Sequence, residues 1–279
     1  MRENAIVWMD TVTKLDQQHA GAVAVVGSHG GEYAAYCAAC AQVRAAIFND
    51  ATVGKDAEGI HALRYFDALG VAAATTDHAS ARIGDGRDNL EYGRISHVNQ
   101  VASALGCHVD QRTRDCAQHM LAAPVFTYAV PFKEESRHVM AATPEAPIRV
   151  VVVDSLSLVL PEDMDAIVVA GSHGAILPME AGQPLMAGHV MALLCCDAGF
   201  GKDDNAVSRI RALDATATPA AAVSVASARI GHGMSMLNDG VLSFVNQTAA
   251  RHGARVGMTA RQYVARLQDV LHSAKETTA

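Results

Sequence analysis

Val-Val-Gly-Ser-His-Gly at residues 25–30 returns as Val-Val-Ala-Gly-Ser-His-Gly at 168–174, each time closing an apolar run. The recurrence is collinear. Ser28 and Ser172 lie 144 positions apart, as do Asp10 and Asp154. Further on the spacing becomes 147: Asp50 meets Asp197, Lys55 meets Lys202, Asp67 meets Asp214, and Ser-Ala-Arg-Ile-Gly at 80–84 repeats at 227–231. One three-residue insertion after the Gly-Ser-His-Gly segment accounts for the change. Ordered matches over this length predict that the chain carries one unit twice, so any fold must be built twice.

Within a copy, apolar runs alternate with helical patterns. Strands are predicted at 5–9 and 22–27, and at 149–153 and 166–171 in the second copy. A helix over about 31–43 follows Gly-Ser-His-Gly, then a strand ending at Asp50, and a helix from Lys55 to Leu69 capped by Gly70. A strand through Asp77 leads into Ser80–Gly86, and two helices, about 94–105 and 110–122, close the unit. In the second copy Thr259 and Gln262 have capping-box spacing. Fully apolar strands alternating with helices predict an α/β fold with parallel sheets covered on both faces. The expectation is a tandem duplication of a Rossmann-like unit, two repeats related by a pseudo-twofold axis. The repeats cover 1–122 and 148–279. Residues 123–147, with four prolines and no match in the other copy, form a connector or arm.

The net charge of −7, without a basic cluster, argues against a nucleic-acid partner. No apolar run reaches the roughly 18 residues of a membrane span, and no leader pattern opens the chain. A cytoplasmic protein is expected, with a small-molecule substrate and no membrane partner; a homo-oligomer is allowed. Six unpatterned cysteines fit that compartment, and Cys37 and Cys40 read as buried thiols on a helix.

In parallel α/β sheets ligands bind beyond the carboxyl ends of the strands, and the repeated polar motifs fall there. Gly-Ser-His-Gly reads as a tight strand-to-helix turn. Its Gly30 and Gly31 allow positive φ and close backbone approach, and Ser28 and His29 are candidate catalytic groups. The turn nearly matches a nucleophile elbow, with Val26 and Ala170 where the first glycine belongs. Asp50 and Lys55 are candidates for handling protons or charge, since a lysine opening a helix opposes the helix dipole. Arg82 offers a fork for an anion, with Ser80 beside it. Asn99 suits an amide ligand. Ser172, His173, Lys202 and Arg229 are the second-copy counterparts and are expected to bind substrate. His78 is a catalytic candidate found only in the first copy, where the second has Val225. His97 and Glu91 are likewise replaced, by Phe244 and Asn238. No Walker A or dinucleotide fingerprint occurs, and no recognised metal spacing, so neither cofactor nor metal is expected. Together these residues point to an enzyme on a small anionic or amide-bearing metabolite, a hydrolase first. An isomerase or lyase stabilising an enolate, and a non-catalytic binding protein, are the alternatives.

Overall fold

The computed structural model describes residues 5–180, 182 and 190–278. It is a mixed α/β structure with two mostly parallel sheets interleaved with helices. The chain divides into two compact units. The first comprises Met1–Glu134, Leu177–Ala181 and Phe200–Asn205; the second comprises Glu135–Ile176, Gly182–Gly199 and Ala206–Ala279.

In the first unit the sheet runs in chain order: β1 (Ile6–Met9), β2 (Val23–His29), β3 (Ala45–Asn49), β4 (Ala72–Thr76) and β5 (Ile95–Val98). The first four are parallel and β5 is antiparallel to β4. Helix α1 (Glu32–Cys40) joins β2 to β3, and α2 (His61–Leu69) joins β3 to β4. Alternate strand residues face opposite ways. Ala24, Val26, Ala46, Phe48 and Ala73 pack with Ala35 and Ala38 of α1 and Phe66 of α2. Val23, Val25, Ala45, Ile47 and Ala74 face the other side. There they meet Leu90 of α3 (Gly86–Tyr92), Ala102 of α4 (Gln100–Ala104), and Cys116 and Met120 of α5 (Thr113–Met120). Both faces are therefore covered, which is why the strands read as unbroken apolar runs. Phe48 and Phe66 are fully buried with ring centroids 6.1 Å apart, each burial contributing roughly 2–3 kcal/mol.

The second sheet has the order β11-β10-β9-β8-β7-β6. Its strands are β6 (Arg137–Met140), β7 (Val150–Val153), β8 (Ile167–His173), β9 (Ala192–Cys196), β10 (Ala220–Val223) and β11 (Leu242–Val245). Helices α6 (Ser208–Ala212), α7 (Gly233–Asp239), α8 (Gln247–Arg251) and α9 (Ala260–Thr278) complete the unit. Ala222 pairs with Phe244 across β10 and β11 as Thr75 pairs with His97 across β4 and β5, each ladder shifting register at the next position. The 123–147 stretch runs along the first unit, where Tyr128 Oη donates to Val43 O (2.8 Å) and Lys133 Nζ bonds Glu32 Oε2 (2.6 Å). It then adds β6 antiparallel to β7.

Several local expectations change. Gly27, Ser28 and His29 continue strand β2, so the turn is Gly30-Gly31 alone. None of these glycines has positive φ. Close approach excludes a side chain instead. A Cβ on Gly27 would lie 2.5 Å from Asp85 N, and one on Gly30 would lie 2.6 Å from Gly59 O. Residues 55–60 form a 3-10 segment with Asp56 and Ala57 at φ 55° and 58°, so the regular helix starts only at His61. The dipole argument for Lys55 thus loses its helix. Gly70 does cap α2 in the left-handed conformation, at φ 69°. The expected 94–105 helix splits into β5 and α4, because Asn99 accepts from Ala102 N–H and starts the helix there. Helix α3, not expected from the sequence, starts where Asp85 accepts from Asp88 N–H. The Thr259–Gln262 capping box forms as expected, at 3.1 and 2.9 Å. The helix expected after Gly174 falls largely outside the described residues. No helix among the described residues is long and apolar enough to cross a membrane.

Candidate functional site

The parallel strands of the first unit end together, at Met9, His29, Asn49 and Thr76. Just past β3 the backbone leaves ordinary conformations. Ala51, Thr52, Val53 and Gly54 all have positive φ, between 45° and 69°. Non-glycine residues in this region cost on the order of 1–2 kcal/mol each, and a β-branched residue there is an outlier. Asp50 holds the loop in place. Its Oδ1 accepts from Thr52 N–H (3.0 Å), its carbonyl accepts from Val53 N–H (2.7 Å), and Gly59 packs so tightly on that carbonyl that no Cβ fits. Strain of this kind concentrates at functional sites, where surrounding contacts enforce it.

The same Asp50 oxygen accepts from His78 N–H (3.0 Å) and lies 3.1 Å from His78 Nδ1. Asp77 Oδ1 lies 3.2 Å from that nitrogen. Both oxygens belong to carboxylates, which accept only, so Nδ1 carries the proton and Nε2 is the basic nitrogen. Burial pushes the Asp50 carboxyl up, but hydrogen bonds from the His78 ring, Ser96 and the His78 backbone outweigh it and hold it below the ordinary range. The hydrogen bond to Asp50 raises His78 above its ordinary value; burial opposes this and the charges of Asp50 and Asp77 add to it. Asp50 is buried, whereas the His78 side chain is 27% exposed. Asp50, Asp77 and His78 also offer three ligand atoms within 4.8 Å of one another, a donor set a small divalent cation accepts.

The second unit separates the roles of this aspartate. Asp197 accepts from Gly199 N–H and Val225 N–H, both at 2.9 Å, and Ala198 and Gly199 again have positive φ. The aspartate therefore organises the loop in both units, and only the first adds an imidazole to it.

Ser28 and Ser172 accept from backbone N–H groups, of Val12 (2.9 Å) and Leu156 (3.0 Å). They tie the segments after β1 and β7 to the neighbouring strands β2 and β8. His29 Nδ1 accepts from Gly31 N–H and His173 Nδ1 from Ala175 N–H. Ser80 Oγ donates to Asp77 O (2.7 Å) and accepts from Arg94 N–H, bracing the loop that carries His78. Asn99 stands apart. Its amide serves Val71 O, Ala73 N–H and Ala102 N–H, at the amino end of β4 rather than the carboxyl edge.

Arg82 and Lys202 meet in one ion network. Asp88, 4% exposed, receives Arg82 N–H (2.8 Å), Arg82 Nη1 (3.0 Å) and Lys202 Nζ (3.0 Å to each oxygen). Arg82 Nη2 reaches Asp203, and Lys202 N–H donates to His78 O (2.9 Å). Lys202 also stacks 4.6 Å above the Tyr92 ring. In the second unit Arg229 N–H donates to Ser235 Oγ, the counterpart of Asp88. Lys55 opens the 3-10 segment just after Gly54.

Two groups are missed by sequence reasoning. Asp88 is hidden because its counterpart is Ser235. Glu58, buried, lies 3.1 Å from His61 Nδ1, making a second histidine–carboxylate pair. Its counterparts are Asn205 and Ser208. A helical i,i+3 spacing of Glu and His is the signal that marks it. Compared with known proteins, the chain matches no protein-family model, no curated protein and no solved structure.

Proposed function

We propose that the chain is an enzyme acting on a small anionic or amide-bearing metabolite, and that it is a hydrolase. The observation that carries this reading is His78 held between Asp50 and Asp77 at the carboxyl edge of a parallel sheet, beside a strained loop. A buried carboxylate that fixes the imidazole tautomer and stabilises its protonated form is the arrangement general acid–base catalysis needs. In the proposed reaction His78 Nε2 takes a proton from water as the oxygen attacks the substrate carbonyl. Asp50 stabilises the imidazolium, which returns the proton to the leaving group. Lys55 supplies positive charge for the substrate anion. Ser28 serves as an anchor, so water is the nucleophile.

The reading extends to the whole chain as two copies of a Rossmann-like unit, the first catalytic. The matched strand orders and ladder registers support it. The test is a screen of small amides, esters and carboxylates against the purified chain, with His78→Ala and Asp50→Asn alongside. Wild-type turnover falling roughly 10²–10⁴-fold in a folded His78→Ala variant is expected. Saturable binding without turnover, or a fully active His78→Ala, overturns the proposal.

A further inference from the structure

A groove of about 330 Å³ lies on the outer face of α2 in the first unit, a size suited to a small ligand. Apolar Ile60, Leu63 and Val98 and polar His61, Arg64 and Asp67 are among the residues that line it. Asp67 is already committed: its Oδ1 accepts from Gln100 N–H (3.0 Å). Asp214 does the same for Gln247 N–H in the second unit. Arg64 is 76% exposed and 3.6 Å from Glu32.

The second unit shows what an arginine at this place stacks on. Arg211, the counterpart of Arg64, lies 5.3 Å above the Phe244 ring. Phe244 takes the ladder position that His97 takes in the first unit. His97 brings a smaller ring there, and its Nδ1 lies 3.5 Å from Thr75 Oγ1, on the sheet. The first unit has no phenyl group at this ladder position, and the groove that Arg64 borders lies between α2 and the Val98–Gln100 segment that follows His97. We infer that this groove is a binding site for a small molecule with a flat aromatic ring, stacked under Arg64 as Phe244 is under Arg211. The site is separate from the Asp50–His78 pair and does not depend on the proposed reaction.

The test needs no turnover. Phenol is titrated into the isotope-labelled full chain and backbone amide shifts are followed. Cyclohexanol, of similar size and with one hydroxyl but no π face, is the comparison. Saturable shifts confined to Ile60–Asp67 and Val98–Gln100 are expected with phenol, and roughly five-fold weaker binding with cyclohexanol or in Arg64→Ala. His97→Phe places a phenyl ring at the Phe244 position, where it competes with phenol for Arg64, and is expected to weaken the phenol shifts. Arg64→Ala, on an exposed helix face, decides the question alone should His97→Phe fail to fold. Unsaturable or scattered shifts, equal binding of cyclohexanol, or phenol binding unchanged in either variant overturns the inference.

Discussion

His78 and Asp50 titrate against each other, and the signs of their shifts set a pH window. His78 is raised, so the folded chain holds that proton more tightly than the unfolded chain. Its contribution to stability is complete below about 6.5 and is lost as pH rises through the folded value. Asp50 is lowered, so its contribution is complete above about 3.9 and is lost as pH falls through the folded value. The pair stabilises most between those limits. In Asp50→Asn the His78 midpoint is expected to fall, read from the imidazole proton shifts; an unmoved midpoint refutes the pairing. Burial decides a second case. Lys202→Met leaves the enclosed Asp88 with Arg82 as its one side-chain cation among the described residues and is expected to cost on the order of 2 kcal/mol in urea unfolding. Asp203→Asn breaks a pair whose carboxylate is 60% exposed, and is expected to cost under about 1 kcal/mol. Equal losses would show that burial does not govern the network.

At the scale of elements, two glycines do different work. Gly70 ends α2 at φ 69°, where a Cβ would meet only Phe126 Cζ at 4.0 Å, so Gly70→Ala is expected to cost about 1 kcal/mol from its backbone conformation. Gly27 lies in β2 against the Asp85 and Asp10 backbones, and Gly27→Ala must move one of them, at about 3 kcal/mol or more. Thermal unfolding of the two variants orders them; the reverse order would mean that β2 yields easily. These positions also show what can be read from sequence. Gly70 is legible because a helix end needs only local information. Gly27 reads as part of a turn, because the backbones it admits come from residues 10 and 85. The four parallel strands are legible as apolar runs, while β5, four residues with one buried position, gives no such run. Asp50 and His78 are legible as residue types past strand ends. Their partnership is not, since it depends on β3 and β4 being neighbours.

At the scale of the molecule, repetition reveals some residues and hides others. Matching the two copies brings out Asp50, Lys202 and Arg82, and passes over Asp88 and the Glu58–His61 pair, where the copies differ. The units are not built from contiguous halves either. Leu177–Ala181 and Phe200–Asn205 belong to the first unit, where Met179 N–H donates to Asp10 (3.3 Å), Asn205 Nδ2 to Ile83 O (2.7 Å), and Lys202 bonds Asp88. A fragment of residues 1–147 lacks all three partners and strands the Asp88 charge with Arg82. Each lost hydrogen bond to a buried or charged group weakens the fold by roughly 1–2 kcal/mol. The fragment is therefore expected to unfold at clearly lower urea than the first unit within the whole chain, followed through amide shifts of β2 to β4. A peptide spanning 197–206, added in trans, is expected to raise that midpoint, and the same peptide with Lys202→Met to raise it less. The whole-chain measurement fixes the reference, so a fragment of unchanged midpoint would show that these segments rest on the unit without supporting it. Equal effects of the two peptides would mean that backbone contacts such as Lys202 N–H to His78 O, not the ion pair, hold the segment in place.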